Sequence, residues 1–434
     1  MTLRGLSIAL LLCLCADAAW RLGQSDVADV EPRFDLPRAL HARVSPDTLP
    51  SNVDTPSVQC ADPVVWQQGR LPMPPATPAA HASTLVALDA RHAMAASKSV
   101  VAFWFAGTRE SASDVGIVAS TYDKQRQQWD APQWVVTREK LQTQLGVAVR
   151  RIGNPVAWRD ADGRLHLYVV ATGLGGWAAS RVVHLVEAPH TQTSPNGWMR
   201  LQFVAERILP LMPLATWFNT STLVRAQPQA LQDGGAIVPM YFELGTKYAL
   251  AVRVGPQGQL RDVRRMSRRH DVLQPTLVAS SETQAVAFMR DNSDSQRVTW
   301  TQTEDGGQHW QDQADAQAGN PDSSLAALRL PSGEWLIAHN LVPQRRAALW
   351  LSRVRDPQQT WQSSVLVQGE AGSEYSYPSM LWLDVAPPDL RRVVLSAATT
   401  HEVWVSYTDQ RQAIAFARLV LTCQPIRSDK GRQP

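Results

Sequence analysis

A chain of 434 residues with a formal net charge of +3 and 19% charged residues carries no nucleic-acid signature, and no basic run in it is interleaved with stacking aromatics. The length allows two or three average domains or one large all-β domain, and either can bury a large core. Sixteen Trp against seven Tyr and eight Phe point to sheet packing in a repeat protein ahead of sugar-stacking platforms.

At the N-terminus, Arg4 precedes an apolar run from Leu6 to Cys15, and Ala16-Asp17-Ala18-Ala19 supply small residues for cleavage. Residues 1–19 therefore read as a secretory signal peptide, with an uncleaved N-terminal anchor as the alternative. The expected location is secreted or periplasmic, or anchored through that segment. Residues 20–79 are rich in Pro, Asp, Ser and Arg without periodicity and read as an extended leader. Cys60 and Cys423 remain after cleavage, near opposite ends of the globular part. In an oxidising compartment an even pair favours a disulfide, and this one closes nearly the whole chain.

From residue 80 to about 425 the texture is uniform, and residues 426–434 read as a disordered tail. Short apolar runs such as Ser99–Phe105, Leu165–Val170, Ala285–Met289 and Val403–Tyr407 alternate with Gly, Asp, Asn and Pro. No long stretch keeps a helical period, so the domain is all-β. A weak repeat recurs through it, clearest in Thr303-Glu304-Asp305-Gly306-Gly307-Gln308-His309-Trp310. There the Asp can cap its own turn, Gly307 can take positive φ, and the Trp folds back over the turn. Degenerate copies are Asp123 to Trp129, Asn196-Gly197-Trp198 and Asp356 to Trp361, with Gly255–Gly258 as a copy without its Trp. Hairpin turns one blade apart imply four-stranded sheets around an axis, a β-propeller.

The repeat resembles the Asp-box of the sialidase-like (neuraminidase-like) family of BNR-repeat proteins. The branch it is similar to carries His81-Ala82-Ser83-Thr84, the Trp104–Glu110 turn with Asp114, Asn154-Pro155, Gln274-Pro275, Arg290, Asn320-Pro321-Asp322-Ser323, His339-Asn340, Ser376-Tyr377-Pro378 and Tyr407–Arg411 in this order. The resemblance implies a six-bladed propeller with its site at the mouth of the central channel. It also implies a glycosidase whose nucleophile is a tyrosine, an exception to the two-carboxylate rule.

Tyr377, entering a strand ahead of Pro378-Ser379-Met380, matches that nucleophile, with Tyr375 as the other register. Asp114 fits the acid/base position, and Glu110 in the same loop, next to Arg109, could exchange roles with it. Arg290 matches the second substrate-binding arginine, and Arg346 or Arg345 the third. Two positions depart from the family: His81 stands where the first arginine is expected, and Gln274 stands where a glutamate would activate the tyrosine. Glu243, at a strand end, could replace that base. Asn154, Asn219, Asn320 and Asn340 could bind sugar hydroxyls, and Arg411 could add a cation at the mouth.

These residues imply a glycan or glycoconjugate substrate, with exo-sialidase activity weakened by His81 and Gln274. A non-catalytic carbohydrate-binding propeller and a polysaccharide lyase are the competing readings. No metal-ligand spacing occurs, no cofactor is implied, and a monomer is expected.

Overall fold

The computed structural model describes residues 31–36, 58–189, 200–209, 221–343, 345–383 and 398–426. Six antiparallel sheets of four or five strands form the blades of a β-propeller. Blade 1 begins with Ala79–Ala87, blade 2 with Arg151–Arg159 and blade 3 with Thr222–Val224. Val272–Ala279, Ala326–Arg329 and Tyr375–Leu383 open blades 4, 5 and 6. These first strands lie against one another around the central channel.

The strands follow from composition. Lys98–Gly107, the second strand of blade 1, is covered on both faces by neighbouring blades, and its run Val100–Ala106 is apolar throughout and buried. Gln362–Gln368, an outer strand, is largely exposed and polar. Six apolar clusters fill the spaces between successive blades, and the last of them, around Trp104, Tyr122, Trp404 and Phe416, joins blade 6 to blade 1.

Ring closure uses residues that the sequence reading assigned to the leader. Val58–Cys60 and Val64–Arg70 pair with Ala413–Pro425, so the N-terminal segment supplies the outer strands of blade 6. Cys60 faces Cys423 in that ladder and the two form a disulfide across 363 residues of sequence. Pairing of the two chain ends in one sheet is tertiary information that local composition does not carry. Residues 31–36 are also seated: Phe34 is fully buried, bridges to Leu231, and its backbone N–H donates to Glu282. The signal-peptide and tail assignments lie outside the described residues, except for Ile426 at the tail's start.

The Asp-box turn is built as its residues dictate. Asp305 Oδ1 accepts from the backbone N–H groups of Gln308 and His309, and Trp310 Nε1 donates to the Gly307 carbonyl at 2.9 Å. Gly306 and Gly307 both take positive φ. The turns at Asp123–Gln128, Gly255–Gln259 and Asp356–Trp361 occupy the same place, between the third and fourth strands of their blades. The copy at 196–198 lies outside the described residues. All these turns face away from the channel mouth, because the mouth is where first strands begin and second strands end.

Candidate active site

One residue per blade sits in the left-handed region at the start of the first strand. They are Ala82, Asn154, Ser221, Gln274, Asp322 and Tyr377, with φ between 42° and 66°. In blades 1, 2, 4 and 6 the ladder shifts register at that point. A bulge re-aims side chains, and a non-glycine residue held there costs about 1 kcal/mol or more, a type of strain that gathers at functional sites. The ring of bulges points several of these side chains into the mouth.

Tyr377 stands at the centre. Its phenol oxygen accepts from Gln274 Nε2 and from Arg290 Nη1, each at 3.3 Å. Its ring lies 4.2 Å from that of His81. Arg225, buried behind the ring with its guanidinium carbon 5.1 Å from the centroid, donates to the carbonyls of Tyr377, Pro378 and Ser83. This one side chain ties the bulge of blade 6 to that of blade 1. Burial lowers its guanidinium to about 10.

Gln274 Oε1 accepts from Arg290 at 3.2 Å. A guanidinium only donates, so the amide oxygen must face Arg290 and the amide N–H must face the phenols of Tyr377 and Tyr241. Arg290 Nε also pairs with Asp322 at 2.6 Å. Burial opposes the charge on Arg290, yet Tyr377 and Asp322 outweigh it and raise its pKa. Glu243 ends a strand beside Tyr241 and Arg290, and burial raises its carboxyl above the ordinary range. On Tyr241, burial and then Glu243 push the phenol up.

A second set of charges completes the mouth. Arg411 Nε and Nη2 grip the two oxygens of Glu374 at 2.7 and 3.2 Å, and its Nη1 reaches Glu110. Arg346 joins Glu374 at 3.3 Å and the Asp322 carbonyl. Burial acts to raise the Glu374 carboxyl, but hydrogen bonds from Arg411 and Ser376 hold it down to about 2.

Several sequence expectations change here. His81 is no stand-in for an arginine: it is 3% exposed, and burial followed by the Arg411 charge drives its pKa well below 6.5, so it is neutral. Asn320 and Asn340 are not sugar-binding groups. Both are fully buried, Asn320 bonded to the backbone of Ser323 and Asn340 to Ser323 Oγ and the carbonyls of Ala348 and Tyr375. Asp114 is exposed, with both oxygens capping Thr108, and has no bond to Tyr377. Arg109 is exposed in the same loop. Asn154 lies at its bulge in blade 2, and Asn219 falls outside the described residues.

Of the paired alternatives, Arg346 joins the cluster while Arg345 is exposed, and Tyr375 packs against Tyr407. Arg225, Tyr241 and Glu374 were given no site role from sequence, and neither was Asp322, although it stands in the motif Asn320–Ser323. For Glu374 a signal existed, since it lies three residues before Tyr377; for Arg225 none did. A cavity of about 120 Å³ continues along the channel, lined by Arg225, Gln227, Thr276, Arg329, Pro378 and Trp382. The side chains that touch the phenol oxygen do not line it. Among the described residues no cluster of His, Cys, Asp and Glu could hold a metal ion.

A model of the BNR repeat-like domain matches residues 98–384, from the second strand of blade 1 to the first strand of blade 6. The chain belongs to the BNR repeat-like family. No curated protein sequence matches it. Among solved structures, this BNR propeller is similar to the Hadza microbial sialidase Hz136, at 12% identity and TM-score 0.56, over 78% of this chain and 65% of that one. The chain thus spans less than two thirds of that sialidase. It is also similar to the NanB sialidase from Streptococcus pneumoniae, at 12% identity and TM-score 0.52, over 83% of this chain and 70% of that one. A third similar structure is the Penicillium chrysogenum alpha-L-arabinanase complexed with arabinobiose, at 12% identity and TM-score 0.51, over 82% and 98% of the two chains. At this identity the likeness concerns the fold.

Proposed function

We propose that this BNR propeller is a glycoside hydrolase acting on a glycan at the channel mouth, with Tyr377 as nucleophile and Glu243 as the proton carrier. The observation that carries the reading is the setting of Tyr377. A strained bulge, a ring contact with neutral His81 and a guanidinium behind the ring hold its phenol oxygen at the meeting point of Gln274 and Arg290. Precise placement of a nucleophile is a large part of catalysis. Attack by the phenol oxygen on the anomeric carbon forms a tyrosyl glycoside and breaks the bond to the leaving oxygen. That oxygen takes a proton from the acid, the resulting carboxylate takes up the phenol's proton, and water then hydrolyses the tyrosyl glycoside and restores the phenol. A raised carboxyl such as Glu243 suits that donor, and Asp114 is the second candidate. The Cys60–Cys423 bridge supports an oxidising, extracytoplasmic location.

The test is turnover of a panel of aryl glycosides, sialosides and neutral sugars included, by the purified protein. Tyr377→Phe and Glu243→Gln should each lower turnover by roughly a hundredfold or more, with Asp114→Asn as the comparison. Turnover indifferent to both substitutions would sink the assigned roles. The second reading is a glycan-binding propeller without turnover. It is favoured by the amide of Gln274 standing where a base should meet the phenol, and it is recognised by retention on a glycan array with no product released.

A further inference from the structure

The charges at the mouth bear on what kind of sugar it takes, granted the reading above that the mouth binds a glycan. An arginine recognises a carboxylate best through a fork, either its Nε–Nη2 pair or its Nη1–Nη2 pair. Arg411 spends both forks on Glu374 and Glu110. Arg346 has Nη1 on Glu374 and Nη2 on the Asp322 carbonyl, so one fork is full and the other half-used. Arg290 has Nε on Asp322 and Nη1 shared between Gln274 and Tyr377, so each fork is half-used. None of the three offers a fork with both nitrogens free.

The charges that face the mouth are also paired locally: Arg290 with Asp322, Arg346 with Glu374, and Arg411 with both Glu374 and Glu110. Arg225 is turned inward to backbone carbonyls, and His81, the remaining basic side chain at the tyrosine ring, is neutral. A substrate carboxylate would therefore meet, at the open mouth, only arginines already paired with a carboxylate, and would lie beside Glu374, which bridges two of them. Sugar hydroxyls fit the same set better, because they both donate to the carboxylate oxygens and accept from the leftover N–H groups.

We infer that the sugar unit seated at this mouth is uncharged, a neutral glycoside whose hydroxyls are read by the ion-paired side chains, and that sialosides and uronides are excluded by charge.

The experiment is retention of the purified protein on a glycan array in which each sialylated or glucuronidated glycan is matched by its counterpart lacking the acidic sugar. The wild-type protein is expected to favour the neutral members by roughly tenfold or more, with little change as sodium chloride is raised. Glu374→Gln removes the bridging charge, and Glu374→Ala empties the forks it fills. Retention on acidic members should rise in the order wild type, Gln, Ala, reaching roughly tenfold and becoming salt-sensitive. Thermal melting of each variant checks that the blades remain folded. A wild-type preference for acidic members, or an acidic-to-neutral ratio unmoved in both folded variants, overturns the inference while leaving the glycosidase reading standing. Retention on no glycan, together with no turnover of any aryl glycoside, overturns both.

Discussion

Gln274→Glu separates a tyrosine that does chemistry from one that only packs. In the wild-type chain Tyr377 Oη receives N–H donors from both Gln274 and Arg290, and no carboxylate is bonded to it. The substitution keeps the side-chain shape but replaces the amide donor by an acceptor, reversing the bond so that the phenol donates its proton toward a base 3.3 Å away. The new charge lies in a site that is 3% exposed in Gln274, and burying a carboxylate costs several kcal/mol. Against this, Arg290 at 3.2 Å returns about 5 kcal/mol at an effective dielectric of 20. Hydrogen bonds from Tyr377 and Tyr241 to a charged acceptor add about 1.5–3 kcal/mol each. The returns at least meet the cost, so the variant should remain folded, with a melting temperature no more than a few degrees below that of the wild type. A general base within reach of its proton contributes about 10²–10⁴ in rate. Hydrolysis of the best aryl glycoside by Gln274→Glu should therefore rise by roughly a hundredfold, measured by release of the aryl group. A folded variant with unchanged turnover, or with turnover reduced, would refute Tyr377 as the nucleophile.

Three further outcomes follow from the geometry. Cys60→Ser removes a link spanning 363 residues, and the chain-entropy estimate for such a loop is about 6 kcal/mol, to be read from urea unfolding of the oxidised proteins. The folded value of Glu374 lies near 2, below its ordinary 4.5, so its contribution to stability is complete above the ordinary value and disappears as pH falls through about 2. Melting temperature of wild type minus that of Glu374→Gln should shrink across that window, and a difference that grows on acidification contradicts the pairing. Asp305→Ala deprives the Gln308 and His309 N–H groups of their acceptor, which should cost about 1–2 kcal/mol in melting experiments. Glycan retention should not change, since that turn lies on the face opposite the mouth.

Much of the fold was legible because its signals are local. Thr303–Trp310 contains in eight residues everything its turn needs: the capping Asp, two glycines at positive φ and the Trp whose indole closes it. The strand runs announced themselves by apolar content, and the order of the motifs led to the six-bladed ring that the sheets display. Tyr377, Gln274 and Arg290, drawn from blades 6 and 4, were named from sequence and do converge on one phenol oxygen.

What sequence could not weigh is whether a polar side chain is already spoken for. Asn320 and Asn340 occupy motif positions like those of binding residues, yet their amides are consumed by neighbouring backbone, a matter of which strand ends meet in space. Arg225 has no motif around it and becomes significant only because blade 3 brings it behind the ring of Tyr377. Residues 58–70 read as leader because their partners lie more than 340 positions away in the chain. Local propensity and spacing thus determined the blades and their turns. Burial, ion pairing and the closure of the ring decided which residues at the mouth remain open to a ligand, because those properties belong to contacts between blades and are absent from any single one.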